Sequence, residues 1–94
     1  MNRDDILAFL RDFKTRYADE YGIISLGIFG SVARGDVRDD SDLDLYVTTR
    51  TPDPFVHIKD DIEQRLHRHV DIARVSEKMN PFLKKRIEKE GVYV

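Results

Sequence analysis

GSVARGDVRDDSDLDLYV, residues 30–47, carries seven acidic or basic side chains before it closes on an apolar run. It is too polar for a core element and too patterned for a plain loop. Its second half opens DLDLYVTT (residues 42–49), which alternates as a strand does. Leu43, Leu45 and Val47 then share one face, and Asp42 and Asp44 share the other with α-carbons about 6.5–7 Å apart. Upstream, the β-branched and aromatic run IISLGIF (residues 23–29) reads as a buried strand that Gly30 ends. A polar loop with one helical turn from Ser31 joins the two strands.

Outward from this centre the chain alternates between helix and strand. Asn2 is a candidate N-cap, with Asp4 and Asp5 at the positive end of the helix dipole. Ile6, Leu10, Phe13 and Tyr17 make one apolar stripe, and Gly22 breaks it. Asp53-Pro54 predicts a second helix start, aspartate as cap and proline at the first helical position. Phe55, Ile58, Ile62 and Leu66 continue it at helical spacing. HVDIARV (residues 69–75) is a third strand, with Val70 and Ile72 on one face and Asp71 on the other. Asn80-Pro81 repeats the cap-and-proline signal, Leu83 and Ile87 give a short stripe, Gly91 is a C-terminal stop, and VYV is a short fourth strand. The expected fold is one α/β (α+β) domain over residues 1–94, a small mixed sheet of three or four strands with helices packed on it.

Composition bounds the function. The chain has 94 residues, 40% hydrophobic and 36% charged, as a globular protein does. A net charge of −2 argues against a general nucleic-acid surface. Absence of cysteine removes disulfides and zinc-thiolate sites. No apolar run is long enough to span a bilayer, and Arg3, Asp4 and Asp5 stand where a secretory signal would be apolar, so no membrane partner and a cytoplasmic location are expected.

If the second and third strands are neighbours, Asp71 joins Asp42 and Asp44. Three carboxylates on one sheet face repel one another and call for a countercharge, and hard oxygen donors without cysteine point to Mg²⁺ or Mn²⁺. Gly30 lets backbone approach a ligand closely, and Ser31 offers a hydroxyl beside free N–H groups, which is a phosphate cradle. Together these halves fit a nucleotide polyphosphate bridged by metal. The Asp-x-Asp tripeptide alone is weak evidence, since a lone one is usually a solvated strand edge. The combination of strand, Gly-Ser, ten-residue spacer, Asp-x-Asp and a third strand aspartate is what carries weight.

GSVARGDVRDDSDLD matches the Gly-Ser, ten residues, Asp-x-Asp signature of the DNA polymerase β-like nucleotidyltransferase superfamily. From the first helix to KKRIEKEGVYV the chain resembles its smallest members, the minimal nucleotidyltransferases. The resemblance implies that Asp42 and Asp44 bind metal, that Asp71 completes the site, and that Ser31 is the signature serine. It implies two Mg²⁺ ions, ATP as substrate, and a HEPN-domain ribonuclease toxin as partner, since such proteins are commonly antitoxins and several transfer AMP to a toxin tyrosine. A rival reading is a non-catalytic antitoxin that neutralises by stoichiometric binding. A transferase acting on a small molecule is a weaker third.

Other residues have plainer readings. Arg34 and Arg38 can contact the triphosphate or balance Asp36, Asp39 and Asp40, which read as solvated loop. His57, His67 and His69 read as surface or turn histidines. KKRIEK (residues 84–89) reads as a solvated helix face sooner than a nucleic-acid patch. Tyr46 either lines the site or packs.

Overall fold

The computed structural model describes residues 2–36, 42–76 and 78–94. The elements run α1 (Arg3–Tyr21), β1 (Ile23–Phe29), α2 (Gly30–Ala33), β2 (Leu43–Thr49), α3 (Phe55–Leu66), β3 (Val70–Arg74), α4 (Pro81–Glu90) and β4 (Val92–Tyr93). The sheet order is β3-β2-β1-β4. β1 is antiparallel to both β2 and β4, and β2 is parallel to β3, so the sheet is mixed as expected.

Local chemistry starts and stops most elements. The Asn2 side chain accepts the Asp5 N–H while Asp5 accepts the Asn2 N–H, a capping box that satisfies two otherwise orphan donors. Gly22, at φ 64°, closes α1 in the left-handed region. Asn80 caps α4 through the Phe82 N–H, with Pro81 in its first turn.

The Asp53 cap is the exception. Pro54 itself caps α3, with no side-chain cap bond, and the helix begins at Phe55. The Phe55 N–H bonds to the Pro52 carbonyl and the Ile58 N–H to the Pro54 carbonyl. Asp53 is therefore inside the preceding turn, one residue too early to cap. The second and third strands are also shorter than predicted: Asp42 lies just before β2, His69 just before β3, and Val75 just after it. Backbone bonds still continue past the ends of β3, from Leu43 N–H to the His69 carbonyl and from Val75 N–H to the Val47 carbonyl.

One face of the sheet is the core. Ile6, Leu10 and Phe13 of α1 and Ile58 and Ile62 of α3 are buried with Leu26, Ile28, Leu43, Leu45, Val47 and Val70. Tyr17, Phe55, Leu66 and Val92 pack at its margin. The opposite face carries a smaller cluster, Phe29 and Tyr46 under Ile87 of α4, with Ala73, Val75, Met79 and Leu83 around it. Gly27 makes room there: a Cβ at this position would overlap the Tyr46 hydroxyl and the Val92 carbonyl. Across it the Tyr46 and Tyr93 rings meet edge to face, centroids 4.9 Å apart. Tyr46 is thus a packing residue, fully buried, and burial holds its hydroxyl protonated well above the usual range. No helix among the described residues is long and apolar enough to cross a membrane.

Candidate active site

Strand alternation sends Asp44 to the face of the smaller cluster, beside Tyr46. Register supplies its neighbours: Asp44 pairs with Phe29 of β1 on one side and with Asp71 of β3 on the other. The chain leaves β1 at Gly30, which is buried and has φ 74°. A Cβ there would overlap Asp44 Oδ2. Two independent demands, a left-handed backbone and the approach of a carboxylate, therefore select glycine. Ser31, half-buried, follows directly in α2.

Like charge is concentrated here. Burial, then the Asp71 carboxylate, with Asp42 adding a smaller push, raise the Asp44 carboxyl above the usual range, while Arg86 and Arg34 pull it back. Asp42, at the mouth of β2, and Asp71 are exposed, and with His69 they form one group whose ligand atoms all lie within 4.8 Å of one another. Asp44 lies outside that group but is electrostatically coupled to both aspartates. The donor set of two exposed carboxylates, an imidazole and a half-buried carboxylate held up by its like-charged neighbours fits a divalent cation.

The three predicted aspartates, Gly30 and Ser31 thus converge at one end of the sheet. Arg34 reaches α4 instead of standing alone, its Nη1 3.1 Å from Glu90 Oε2. Arg38, Asp39 and Asp40 lie outside the described residues. His57 is at the opposite end of the sheet, in a cleft of ≈ 480 Å³ that gathers Asp19, Glu20, Arg50 and Asp53 and none of the candidate residues.

Sequence reasoning passed over three residues. His69 is an exposed turn residue, as read, yet it stands among the carboxylates. Glu63, near the C-terminal end of α3, accepts the Val70 N–H at 2.9 Å and lies 3.1 Å from His69 Nδ1. The Val70 bond is the chief reason that its carboxyl sits below the usual range. Arg86, inside KKRIEK, is next to buried Ile87; its guanidinium lies 5.9 Å from the Phe29 ring centroid and acts on Asp44. The six-residue spacing from Glu63 to His69 was visible in the sequence. The side of α4 that faces the sheet was not.

The sequence and the fold have counterparts among known proteins. Residues 14–94 match the polymerase beta nucleotidyltransferase family model. A Methanocaldococcus jannaschii protein provisionally named a protein adenylyltransferase is 34% identical over 93 residues, 96% of this chain and 95% of that protein. A solved structure provisionally described as a minimal nucleotidyltransferase superposes with a TM-score of 0.75 at 33% identity, covering 98% of this chain and 95% of that one. A toxin–antitoxin structure with AMP-PNP shares the fold at a TM-score of 0.69 and 19% identity, covering 99% of this chain and 72% of that one. With Gly30 pressed against Asp44 and the family match spanning all four strands of the sheet, the chain belongs to the polymerase β nucleotidyltransferase family and is related to the protein adenylyltransferases.

Proposed function

We propose that this protein is an antitoxin that transfers AMP from ATP to a tyrosine of a partner ribonuclease toxin of the HEPN class. The observation that carries the reading is the packing of Asp44 over Gly30 with Asp71 in register beside it, an arrangement that suits carboxylates holding metal next to a corner that seats phosphate. Similarity to a protein adenylyltransferase supports the transfer, and the AMP-PNP bound in the related toxin–antitoxin structure supports ATP as donor. The HEPN class and the tyrosine rest on the family resemblance.

In this reading Asp42, Asp44 and Asp71 hold two Mg²⁺ ions, and Gly30, Ser31 and Arg34 seat the phosphates, with Arg86 adding positive charge beside them. The bound metal supplies Lewis acidity, which eases ionisation of the acceptor hydroxyl and offsets charge on the departing pyrophosphate. The tyrosine oxygen bonds to the α-phosphorus and the α–β bridging P–O bond breaks. Pyrophosphate departs with that bridging oxygen, and the hydroxyl proton passes to Asp71. A tyrosine hydroxyl has an ordinary pKa of about 10, so activation is needed near neutrality. The attached phosphodiester brings negative charge and bulk to a surface that must accept RNA phosphates, and both oppose substrate.

Incubation of the protein with its toxin, Mg²⁺ and α-labelled ATP tests the reading. The expected result is label on the toxin and one adenylate mass increment per transferred group, lost in Asp42→Ala/Asp44→Ala. An unmodified toxin inhibited only at stoichiometric antitoxin overturns it in favour of a binding role.

A further inference from the structure

We propose that His69, aimed by Glu63, is a nitrogen ligand to the metal held by Asp42 and Asp71, and that it makes the site prefer a first-row transition cation to Mg²⁺. The inference rests on the metal-dependent reading above but concerns a residue outside the family signature.

The hydrogen-bond chain sets the tautomer. Glu63 is ionised and can only accept, and the same Oε2 that takes the Val70 N–H at 2.9 Å lies 3.1 Å from His69 Nδ1. Nδ1 therefore carries the hydrogen. In the neutral ring Nε2 is then a lone-pair donor to metal, and it faces Asp71 Oδ1 at 3.4 Å. With the ring neutral these lone pairs repel, and with it protonated they form an ion pair; a cation between them takes the place of that proton and converts both into ligands. Adjacent ligands bound at about 2.1 Å stand about 3.0–3.4 Å apart, so the observed separation already matches an edge of a coordination shell. A carboxylate holding the far nitrogen of a ligating histidine is the arrangement that fixes ring orientation and raises its basicity.

The backbone holds the imidazole in place from both sides. The His69 carbonyl accepts the Leu43 N–H, which ties its Cα to the mouth of β2 next to Asp42. His67, at φ 53°, ends α3 in the left-handed region, and this sharp exit brings residue 69 back beside residue 63. Imidazole nitrogen is a good donor to transition ions and a poor one to Mg²⁺, which favours oxygen. A mixed Asp-His-Asp set should discriminate more strongly than an all-carboxylate set.

Mn²⁺ is the probe. With non-hydrolysable ATP present, electron spin-echo modulation of bound Mn²⁺ should reveal directly coordinated ¹⁴N in the wild type and none in His69→Gln. Calorimetry should give His69→Gln about tenfold or more weaker Mn²⁺ binding, with Mg²⁺ binding changed much less. His69→Asp should restore Mn²⁺ affinity through oxygen while narrowing the preference over Mg²⁺. Melts confirm that the variants of this exposed residue remain folded. Absence of nitrogen modulation in the wild type, absence of Mn²⁺ binding, or equal loss of both metals in His69→Gln would each overturn the assignment. AMP transfer with Mg²⁺ and with Mn²⁺, assayed on the same preparation, separates the two readings: transfer without nitrogen coupling removes His69 as a ligand and leaves the function, and coupling without transfer in either metal does the reverse.

Discussion

The two faces of the sheet are built from the same strands and do opposite work. On one face Leu43, Leu45 and Val47 of β2 lie fully buried beneath α1 and α3. On the other, Asp44 and Tyr46 alternate with them, and the surface is divided. Around Tyr46, Phe29 and Ile87 it is a small apolar cluster; around Asp44 and Asp71 it is carboxylate. The first face stabilises the fold through apolar burial. The second gathers like charges, at a cost to the metal-free protein, and rests on the rigidity that the first supplies. Period-two alternation lets a seven-residue strand serve both ends, so single substitutions in β2 should separate stability from chemistry.

The largest separation is expected from Asp44→Ala. It removes a proposed metal ligand and should lower AMP transfer by about 10³-fold or more, while the melting temperature of the metal-free protein does not fall. A large loss of stability with transfer per folded molecule intact would reverse the roles of the two faces. Next is its neighbour on the other face: Leu45→Ala should cost about 2–5 kcal/mol of folding stability through lost burial and a cavity, read from denaturant curves. Turnover by the folded fraction should remain near that of the wild type.

Ser31→Ala should act more gently, since the backbone of the corner remains; a loss of about 1–2 kcal/mol of transition-state binding is expected in kcat/KM. Complete loss would make the hydroxyl, and not the backbone, the main phosphate contact. The smallest effect concerns pH. A carboxyl whose folded pKa is raised contributes stability that is full below its ordinary value and is lost as pH rises through the raised one. Asp44→Asn carries no such group. In metal-free buffer the melting temperature of this variant minus that of the wild type should therefore grow from strongly acidic pH toward neutrality. Saturating Mg²⁺ and ATP should then favour the wild type, because binding to the folded state stabilises it. A difference that is flat with pH would mean that neither burial nor the neighbouring carboxylates raise the Asp44 carboxyl in the folded protein.

Some of this was open to inspection in the 94 letters. The Asn2 cap, the Asn80-Pro81 start of α4, β1 and the α1 stripe follow from rules that act within a few residues, and the register-free alternation of 42–47 already sorted aspartate from leucine. Gly30 could be suspected from its place at the end of an apolar run. The failure at Asp53 was also local: two prolines, Pro52 and Pro54, compete to set the turn, and the hydrogen bond from Phe55 N–H to the Pro52 carbonyl decides it.

What the chain order alone determined, then, was the set of elements and which side chains share a strand face, because backbone sterics and period-two alternation are properties of neighbouring residues. Only the tertiary structure decided that β3 lies parallel beside β2 with Asp71 against Asp44, that Asp44 rests on Gly30, that α4 turns Arg86 toward the acids, and that Glu63 reaches across the turn to orient His69. Those are contacts between residues distant along the chain or across a helix-to-strand turn. They are selected by the burial of the common apolar core, which sets where each strand and helix stands and thereby what its polar side chains meet.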